Sequence, residues 1–223
     1  MTKVKEFIEL IEKKILLNKI AIGEKLEPER VLAQKYNFSR QTVHNGLIRL
    51  EEKGLVIIKA RQGGYVSGYK AVGSLNLLET WIDFDKEIFN EETACGFVDF
   101  CRININETIR LCSQEANFDD DEIILNEIKK IEYTEDINKR RELIFEIYRL
   151  YATSQKNILY LYLLNSFKVG IENFIFYTAA SDQAYYQLYP MLIQVYEYVV
   201  TSEEEKAIES NNRVIDYLKS HWK

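Results

Sequence analysis

Proline is almost absent from this chain, and this scarcity constrains the fold more than any other feature. The 223 residues include 2 Pro and 9 Gly, and no Pro occurs between Pro28 and Pro190. An all-β sandwich or barrel needs a turn about every 8–12 residues, and turns draw heavily on Gly and Pro. The composition therefore argues against an all-β fold and predicts a mainly α-helical protein.

The rest of the composition is that of an ordinary globular protein, 47% hydrophobic and 29% charged. No apolar run reaches the roughly 18 residues of a membrane-spanning helix. Charged and apolar residues alternate from Lys3 to Lys19, which argues against a signal peptide. Cys95, Cys101 and Cys112 match no metal or disulfide spacing, so we expect reduced thiols and a cytoplasmic location.

The charge is unevenly distributed along the chain. Residues 1–69 carry 13 Lys+Arg and 8 Asp+Glu, a balance of +5, whereas residues 70–223 carry 16 and 27, a balance of −11. This asymmetry indicates two domains, a basic one suited to an anion such as nucleic acid and an acidic one. Surface charge that only maintains solubility explains the balance equally well. We place the domains at 1–68 and 75–223, with a linker at 69–74.

The basic segment has the element order of a winged helix-turn-helix. Apolar residues at helical spacing predict a helix from about Val4 to Leu16. A second helix begins near Pro28 with Val31, Leu32 and Tyr36 as its apolar face, and a third follows Ser39. Gly54 ends the third helix, and the β-branched run that follows predicts a short hairpin over 55–67.

The third predicted helix carries the side chains that can read DNA. A recognition helix enters the major groove with its N-terminal residues, which here are Ser39, Arg40, Gln41, Thr42 and His44. Arg40 can pair with guanine O6 and N7, and Gln41 can reach a base edge. Thr42 can bind a base or a phosphate, and Ser39 at the helix N-terminus suits a phosphate oxygen.

Two further groups complete the predicted DNA-binding surface. Arg30 on the preceding helix is expected on the same side, and Lys59, Arg61, Gln62 and Gly63 form a hairpin tip that can lie along a backbone or a minor groove. For any single residue, a capped amphipathic helix with solvated charges is an equally good interpretation. The whole constellation favours DNA binding.

This segment resembles the GntR family of bacterial transcription regulators. The resemblance covers roughly residues 5–67 and is carried by Gly23–Arg30, Leu32-Ala33, Ser39–Val43, Leu47, Arg49–Glu51, Lys53–Val56 and Gly63–Val66. It implies that Arg30, Ser39, Arg40, Thr42 and the hairpin tip contact operator DNA, and that the protein is a homodimer on a short palindromic site. The chain departs from the family at His44, where Arg is usual, at Asn45-Gly46, and at Arg61, where Gly is common.

Everything beyond about Ser74 reads as helix. We predict helices near 74–82, 90–116, 119–132, 136–154, 157–179, 182–201 and 203–221. An all-helical acidic domain of this size resembles the FadR-like branch of the family, with weaker likeness at Ser74–Thr80, Arg102–Ile105 and Glu142–Asn165. That resemblance implies a domain that dimerises and senses a small metabolite, such as a fatty acyl-CoA or another apolar carboxylate.

The candidate effector-binding residues are few. Arg102 stands in an otherwise apolar helix and can clamp a carboxylate or form a structural salt bridge. Tyr148, Asn165, Tyr177 and Trp222 belong to the helices expected around a cavity, although a Tyr-rich core and dimer surface explains the tyrosines more simply.

Two further observations limit what the helical domain can hold. Ile215 and Leu218 stand where the resemblance implies small residues against an acyl-CoA, so an effector-free repressor remains the alternative. With only His44 and His221, we expect no metal or cofactor. The sequence has no catalytic motif, and we expect no enzyme.

Overall fold

The computed structural model describes residues 2–73, 77, 88–114 and 121–222. The chain divides into two compact units, Met1–Ile88 and Phe89–Lys223. Among the described helices, none is both long and apolar enough to cross a membrane.

The first unit is a winged helix-turn-helix, as the sequence predicts. Its helices are α1 (Lys3–Leu16), α2 (Glu29–Tyr36) and α3 (Arg40–Glu52). Strands β1 (Val56–Lys59) and β2 (Gly63–Val66) pair antiparallel, with Val56 opposite Val66. A short helix, α4 (Tyr69–Val72), follows.

One hydrophobic core holds these elements together. Phe7, Ile11 and Ile15 of α1 pack with Val43, Leu47 and Leu50 of α3, and all six side chains are buried. The buried positions of α2 are Leu32 and Ala33; Val31, predicted on the apolar face, is exposed because the helix turns it toward solvent. Burying large aliphatic side chains contributes about 1.5–3 kcal/mol each, so this core holds the recognition helix rigidly.

The hairpin turn has a strained residue at its tip. Gln62 N–H donates to the carbonyl of Lys59 over 3.0 Å, and Arg61 adopts a left-handed backbone with φ of 61°. Only Gly adopts this conformation without steric cost. Arg61 therefore adopts this conformation at a steric cost that Gly at the same position would not have.

The predicted linker at 69–74 begins as part of the first unit. Tyr69 of α4 is buried in the N-terminal core, and its hydroxyl donates to the carbonyl of Ile15 over 3.5 Å. The helix predicted near 74–82 lies, apart from Leu77, outside the described residues, as do parts of the predicted 119–132 helix. The exact domain boundaries stay a prediction.

The second unit is helical throughout its described residues. Its α-helices are α5 (Glu91–Gln114), α6 (Asp121–Lys129), α7 (Ile137–Ser154), α8 (Ile158–Ser166), α9 (Lys168–Thr178), α10 (Asp182–Tyr186), α11 (Leu188–Val200) and α12 (Glu204–Ser220). A 3₁₀ turn, Lys130–Tyr133, follows α6. The long helix α5 packs against α12, α7 and α8.

Two helices predicted as continuous are each divided in two. Phe167 separates α8 from α9, with φ of −100° and ψ of 7°, and Gln187 separates α10 from α11. At the first break the Phe167 side chain is buried beside Phe97, with ring centroids 5.7 Å apart. The apolar pattern continues across both breaks, so periodicity alone predicted single helices there.

Candidate nucleic-acid interface

The N-terminal turn of α3 is polar and exposed to solvent. Ser39 caps the helix, and its Oγ accepts from Thr42 N–H over 3.0 Å. The Ser39 and Thr42 hydroxyl oxygens also lie 2.8 Å apart. Such a cap stabilises a helix by about 1 kcal/mol, and the remaining first-turn N–H groups stay available to an anion.

We define the recognition strip as Arg40, Gln41, His44 and Asn45, which lie on the solvent-facing side of α3 and are all exposed. These positions are one helical turn apart and therefore neighbours on one face. The Gln41 amide donates to Asn45 Oδ1 over 2.9 Å, which fixes both side chains along the helix. The strip offers a guanidinium, two amides and an imidazole, the groups that bind base edges in the major groove.

His44 is oriented from the preceding helix. Its Nδ1 lies 2.8 Å from Oε1 of Glu29, the first residue of α2. This contact joins the two helices of the motif at its exposed surface and directs the other ring nitrogen away from Glu29. A ring held on one side by a carboxylate is a defined donor or acceptor on the other.

Gly46 explains a second departure from the family pattern. A Cβ atom built at Gly46 would lie 2.3 Å from Cδ1 of Phe7, closer than any real contact. The missing side chain lets α1 approach α3 directly behind the recognition strip. Asn45 therefore presents its polar side chain to solvent, and Gly46 packs closely against Phe7 of α1.

Three of the predicted DNA-binding cations have no ion pair among the described residues, whereas several other cations of the first unit have one. Lys35 pairs with Glu27 at 2.8 Å, Arg49 with Glu52 at 2.9 Å and Lys53 with Glu12 at 2.6 Å. By contrast, Arg30, Arg40 and Arg61 are exposed and form no ion pair with any residue that the structure describes. Guanidinium groups that no carboxylate neutralises can bind the phosphates of DNA, and this binding releases the counterions that surround the DNA.

The β1–β2 hairpin, residues 56–66, is called the wing below, and it presents a second cationic group. Lys59 Nζ lies 4.9 Å from the centroid of the Tyr65 ring, and Lys25 Nζ approaches the same ring at 5.8 Å. Gln62 and Gly63 are exposed beside them, and Gly63 has φ of 96°. The ring holds both ammonium groups at the hairpin, where they can contact a backbone without being neutralised.

Sequence reasoning missed two members of this surface. Asn45 lies in the recognition strip, and its position four residues after Gln41 is the signal that could have identified it. Lys25 reaches the wing through an isolated β-bridge to Tyr65, 40 positions away in the sequence. No local pattern indicates that contact.

In the second unit, Arg102 is already engaged by carboxylates. Its Nη2 donates to Asp216 Oδ1 of α12 over 2.5 Å and lies 3.1 Å from Asp99 Oδ1. Of the two interpretations open from the sequence, the structural salt bridge is the one present here. A carboxylate ligand would have to displace Asp216.

Tyr148 and the last helix share a buried polar network. The Tyr148 hydroxyl donates to Asn211 Oδ1 over 2.8 Å, Asn211 donates to Asn106 Oδ1 over 2.7 Å, and Asn106 donates to Asn212 over 2.9 Å. Desolvation by burial raises the pKa of Tyr148, so the hydroxyl stays a donor at neutral pH. The network joins α5, α7 and α12 through hydrogen bonds in an otherwise apolar core.

The remaining candidates lie apart from this network. Trp222 packs against Phe174 and Tyr177, with ring centroids 5.8 Å and 5.1 Å away, whereas Asn165 is exposed on α8. Ile215 and Leu218 are buried and fill space within the unit. The structure therefore brings Tyr177 and Trp222 together and leaves Asn165 outside.

Within the described residues, no group of three or more His, Cys, Asp or Glu side chains could hold a metal ion. His44 contacts Glu29, and His221 Nδ1 lies 2.8 Å from the carbonyl of Tyr217. The expectation of no metal stays a prediction.

A winged helix-turn-helix with an exposed polar strip at the start of its recognition helix is typical of DNA-binding transcription regulators. Residues 3–66 match the sequence model of the family described as bacterial regulatory proteins, gntR family. The first unit is therefore similar to the DNA-binding domain of this family of regulators.

Solved structures share the fold across both units. A Listeria monocytogenes structure, described as "Lar controls the expression of the Listeria monocytogenes agr system and mediates virulence", is 14% identical with a TM-score of 0.64, covering 99% of this chain and 96% of that one. A GntR protein from Streptococcus agalactiae is 16% identical with a TM-score of 0.51, covering 97% and 99%. No curated protein has a significant sequence match to the chain.

Proposed function

We propose that this regulator binds operator DNA as a cytoplasmic homodimer, with the recognition strip in the major groove and the wing along the backbone. The observation that carries the proposal is the contrast between paired and unpaired cations in the first unit. Arg40 leads the strip and has no ion-pair partner among the described residues, whereas Arg49 at the other end of α3 pairs with Glu52. Base reading requires free groups at the helix N-terminus.

The roles of the individual residues follow from their positions. Arg40, Gln41 and His44 are assigned to base edges, and Asn45 supports Gln41 through their hydrogen bond. Ser39, Thr42 and Arg30 are assigned to the phosphate backbone at the start of α3. The wing group of Lys59, Arg61, Gln62 and Gly63 is assigned to a neighbouring backbone or minor groove.

Selection from a random duplex library, followed by fluorescence anisotropy, tests this proposal. We expect enrichment of a short inverted repeat and a binding constant that falls steeply with salt, because phosphate contacts release counterions. Binding no stronger than that to unselected duplexes at every salt concentration would contradict it.

We also propose that the second unit senses a small apolar carboxylate, in the manner of the FadR-like branch. The support is the helical second unit, whose sequence resembles that branch over Arg102–Ile105 and Glu142–Asn165. Calorimetric titration with fatty acyl-CoAs and free carboxylic acids tests this, with Arg102→Ala as the variant.

The second candidate is a repressor without an effector, and a specific observation favours it. Arg102 and Tyr148 already have protein partners, and Ile215 and Leu218 occupy the space of the smaller residues. Titration heats equal to buffer dilution for every ligand would favour this candidate. A ligand that binds and changes DNA affinity would exclude it.

A further inference from the structure

The contact between His44 and Glu29 determines which ring nitrogen of His44 carries a hydrogen. His44 Nδ1 lies 2.8 Å from Glu29 Oε1, at hydrogen-bond distance. A carboxylate accepts hydrogen bonds and has none to donate, so the hydrogen of this bond belongs to Nδ1. A neutral imidazole carries one hydrogen on its two nitrogens, and Nε2 is therefore left as an acceptor.

Nε2 is the ring nitrogen of His44 that remains available to DNA. The His44 and Glu29 side chains are 51% and 38% exposed, and the bond holds the Nδ1 side of the ring against the start of α2. Within the described residues, no further hydrogen bond engages this ring. The Nε2 acceptor is therefore part of the recognition strip that is assigned to the major groove.

This acceptor differs in kind from Arg40, which lies one helical turn before it. A guanidinium has only donors and pairs with O6 and N7 of guanine. An acceptor needs a donor on the base, and in the major groove those donors are the amino groups of adenine and cytosine. Guanine and thymine present acceptors toward the same point, so no hydrogen would lie between them and Nε2. Hydrogen-bond chemistry therefore favours adenine or cytosine opposite His44.

We propose that Glu29 is a positioning residue that makes His44 an acceptor, so that the operator carries adenine or cytosine at the base that His44 contacts. The proposal rests on the proposed function, because it names a base of the DNA that the first unit binds. A carboxylate in the first turn of a helix also stabilises that helix, and one on a DNA-binding surface repels phosphate. The experiments must therefore separate the tautomer of His44 from these general effects of charge.

The tautomer is measured without DNA. Long-range ¹H–¹⁵N correlation spectra of the full chain distinguish Nδ1–H from Nε2–H at about pH 8.5, where an ordinary imidazole is neutral. The chain has two His, so a His44→Ala spectrum identifies the signals of His44. We expect the Nδ1–H form in the wild type and a mixture in Glu29→Gln, because an amide can both donate and accept.

Glu27→Gln is the matched control for charge. It removes a carboxylate that is paired with Lys35 rather than with His44, two residues before Glu29. We expect its His44 signals to equal those of the wild type. Any change that Glu29→Gln and Glu27→Gln share reports the loss of one negative charge and not the tautomer.

Selection from a random duplex library at the same pH then tests the base that is read. His44→Ala should lose its preference at one position of each half-site. At that position we expect the wild type to favour adenine or cytosine by at least ~5-fold over guanine and thymine. Glu29→Gln should admit guanine or thymine there and keep the other positions, whereas Glu27→Gln should keep the whole profile.

The outcomes separate this inference from DNA binding itself. An Nε2–H ring in the wild type, a preference for guanine or thymine at the position identified by His44→Ala, or a His44→Ala profile equal to that of the wild type overturns the inference and leaves DNA binding intact. A Glu29→Gln variant with the wild-type profile would also overturn it, because the carboxylate would then only join α2 to α3. A wild type that selects no duplex removes the proposed function, and this inference with it.

Discussion

The two units use similar polar side chains in opposite ways. On α3 of the first unit, Arg40 is exposed without an ion-pair partner among the described residues, and Gln41 is bonded only to its helix neighbour Asn45. On α5 of the second unit, Arg102 is held by Asp216 and Asp99, and Asn106 is bonded to Asn211 and Asn212 of α12.

This difference separates binding groups from structural groups. A polar group binds DNA at the least cost when no other side chain of the protein already engages it, because an internal bond that DNA replaces has to be broken first. A polar group inside a helical bundle must be satisfied, because an unpaired buried donor or acceptor costs about 1–3 kcal/mol. The pairing of a side chain therefore tells more about its role than its type does.

The largest expected effect comes from removing a hydrogen-bonded side chain from the core of the second unit. Asn211→Leu removes the partner of both the Tyr148 hydroxyl and Asn106 within the core. We expect the free energy of unfolding to fall by about 2–3 kcal/mol, because buried polar groups lose their hydrogen bonds. Urea denaturation followed by circular dichroism measures it. Asn165→Leu, at an exposed position of the same unit, is the control, and equal losses in both variants would show that the network contributes nothing.

A smaller effect is expected behind the recognition strip. Gly46→Ala places a Cβ against the Phe7 ring and should cost about 1–3 kcal/mol through overpacking of α1 on α3. The matched control is Gly96→Ala on α5, where a Cβ meets nothing within 4 Å. There the same change should stabilise the chain by about 0.5–1 kcal/mol. Thermal unfolding of both variants measures whether the stability falls in Gly46→Ala and rises in Gly96→Ala. A more stable Gly46→Ala variant would contradict the close packing of α1 on α3.

The wing allows stability and binding to be separated in one variant. Arg61 has φ of 61°, so Arg61→Gly should stabilise the folded chain by roughly 1 kcal/mol through relief of the left-handed backbone. The same change removes a cation from the wing and should weaken DNA binding and lower the salt dependence by about one phosphate contact. A more stable variant with unchanged affinity would remove Arg61 from the DNA-binding surface.

The smallest effect is expected at the salt bridge of the second unit. Arg102→Ala removes contacts with Asp216 and Asp99, whose carboxylates are largely exposed. Exposed ion pairs contribute about 0–1 kcal/mol, so the unfolding midpoint should barely move. A loss above about 2 kcal/mol would show that Arg102 is structurally essential, and the residue would then be a poor candidate for a ligand contact.

The sequence predicted the first unit more completely than the second for a physical reason. The cap at Ser39, the buried positions of α3 and the hairpin depend on residues within a few positions of one another, and short-range rules describe them. The contacts of Lys25 with Tyr65 and of Arg102 with Asp216 join residues far apart in the sequence. No periodicity encodes such pairs.

The break of a predicted helix into α8 and α9 also involves a contact between residues far apart in the sequence. The apolar pattern runs through Phe167 without interruption, and tertiary packing of that ring against Phe97 accompanies the break between α8 and α9. The exposure of α8 could not be predicted from the sequence either, because an apolar run predicts buried side chains whether or not another element covers it.

The most direct test of the account compares the two ends of the recognition helix. Arg40→Ala and Arg49→Ala remove the same side chain from the same helix, one unpaired at the N-terminus and one paired with Glu52 in the last turn. Anisotropy on the selected operator and on single-base variants measures both. We predict that Arg40→Ala costs about 1–3 kcal/mol and relaxes base choice at one position, whereas Arg49→Ala changes neither. Equal losses for the two variants on every sequence would contradict the claim that the exposed strip of α3 reads DNA.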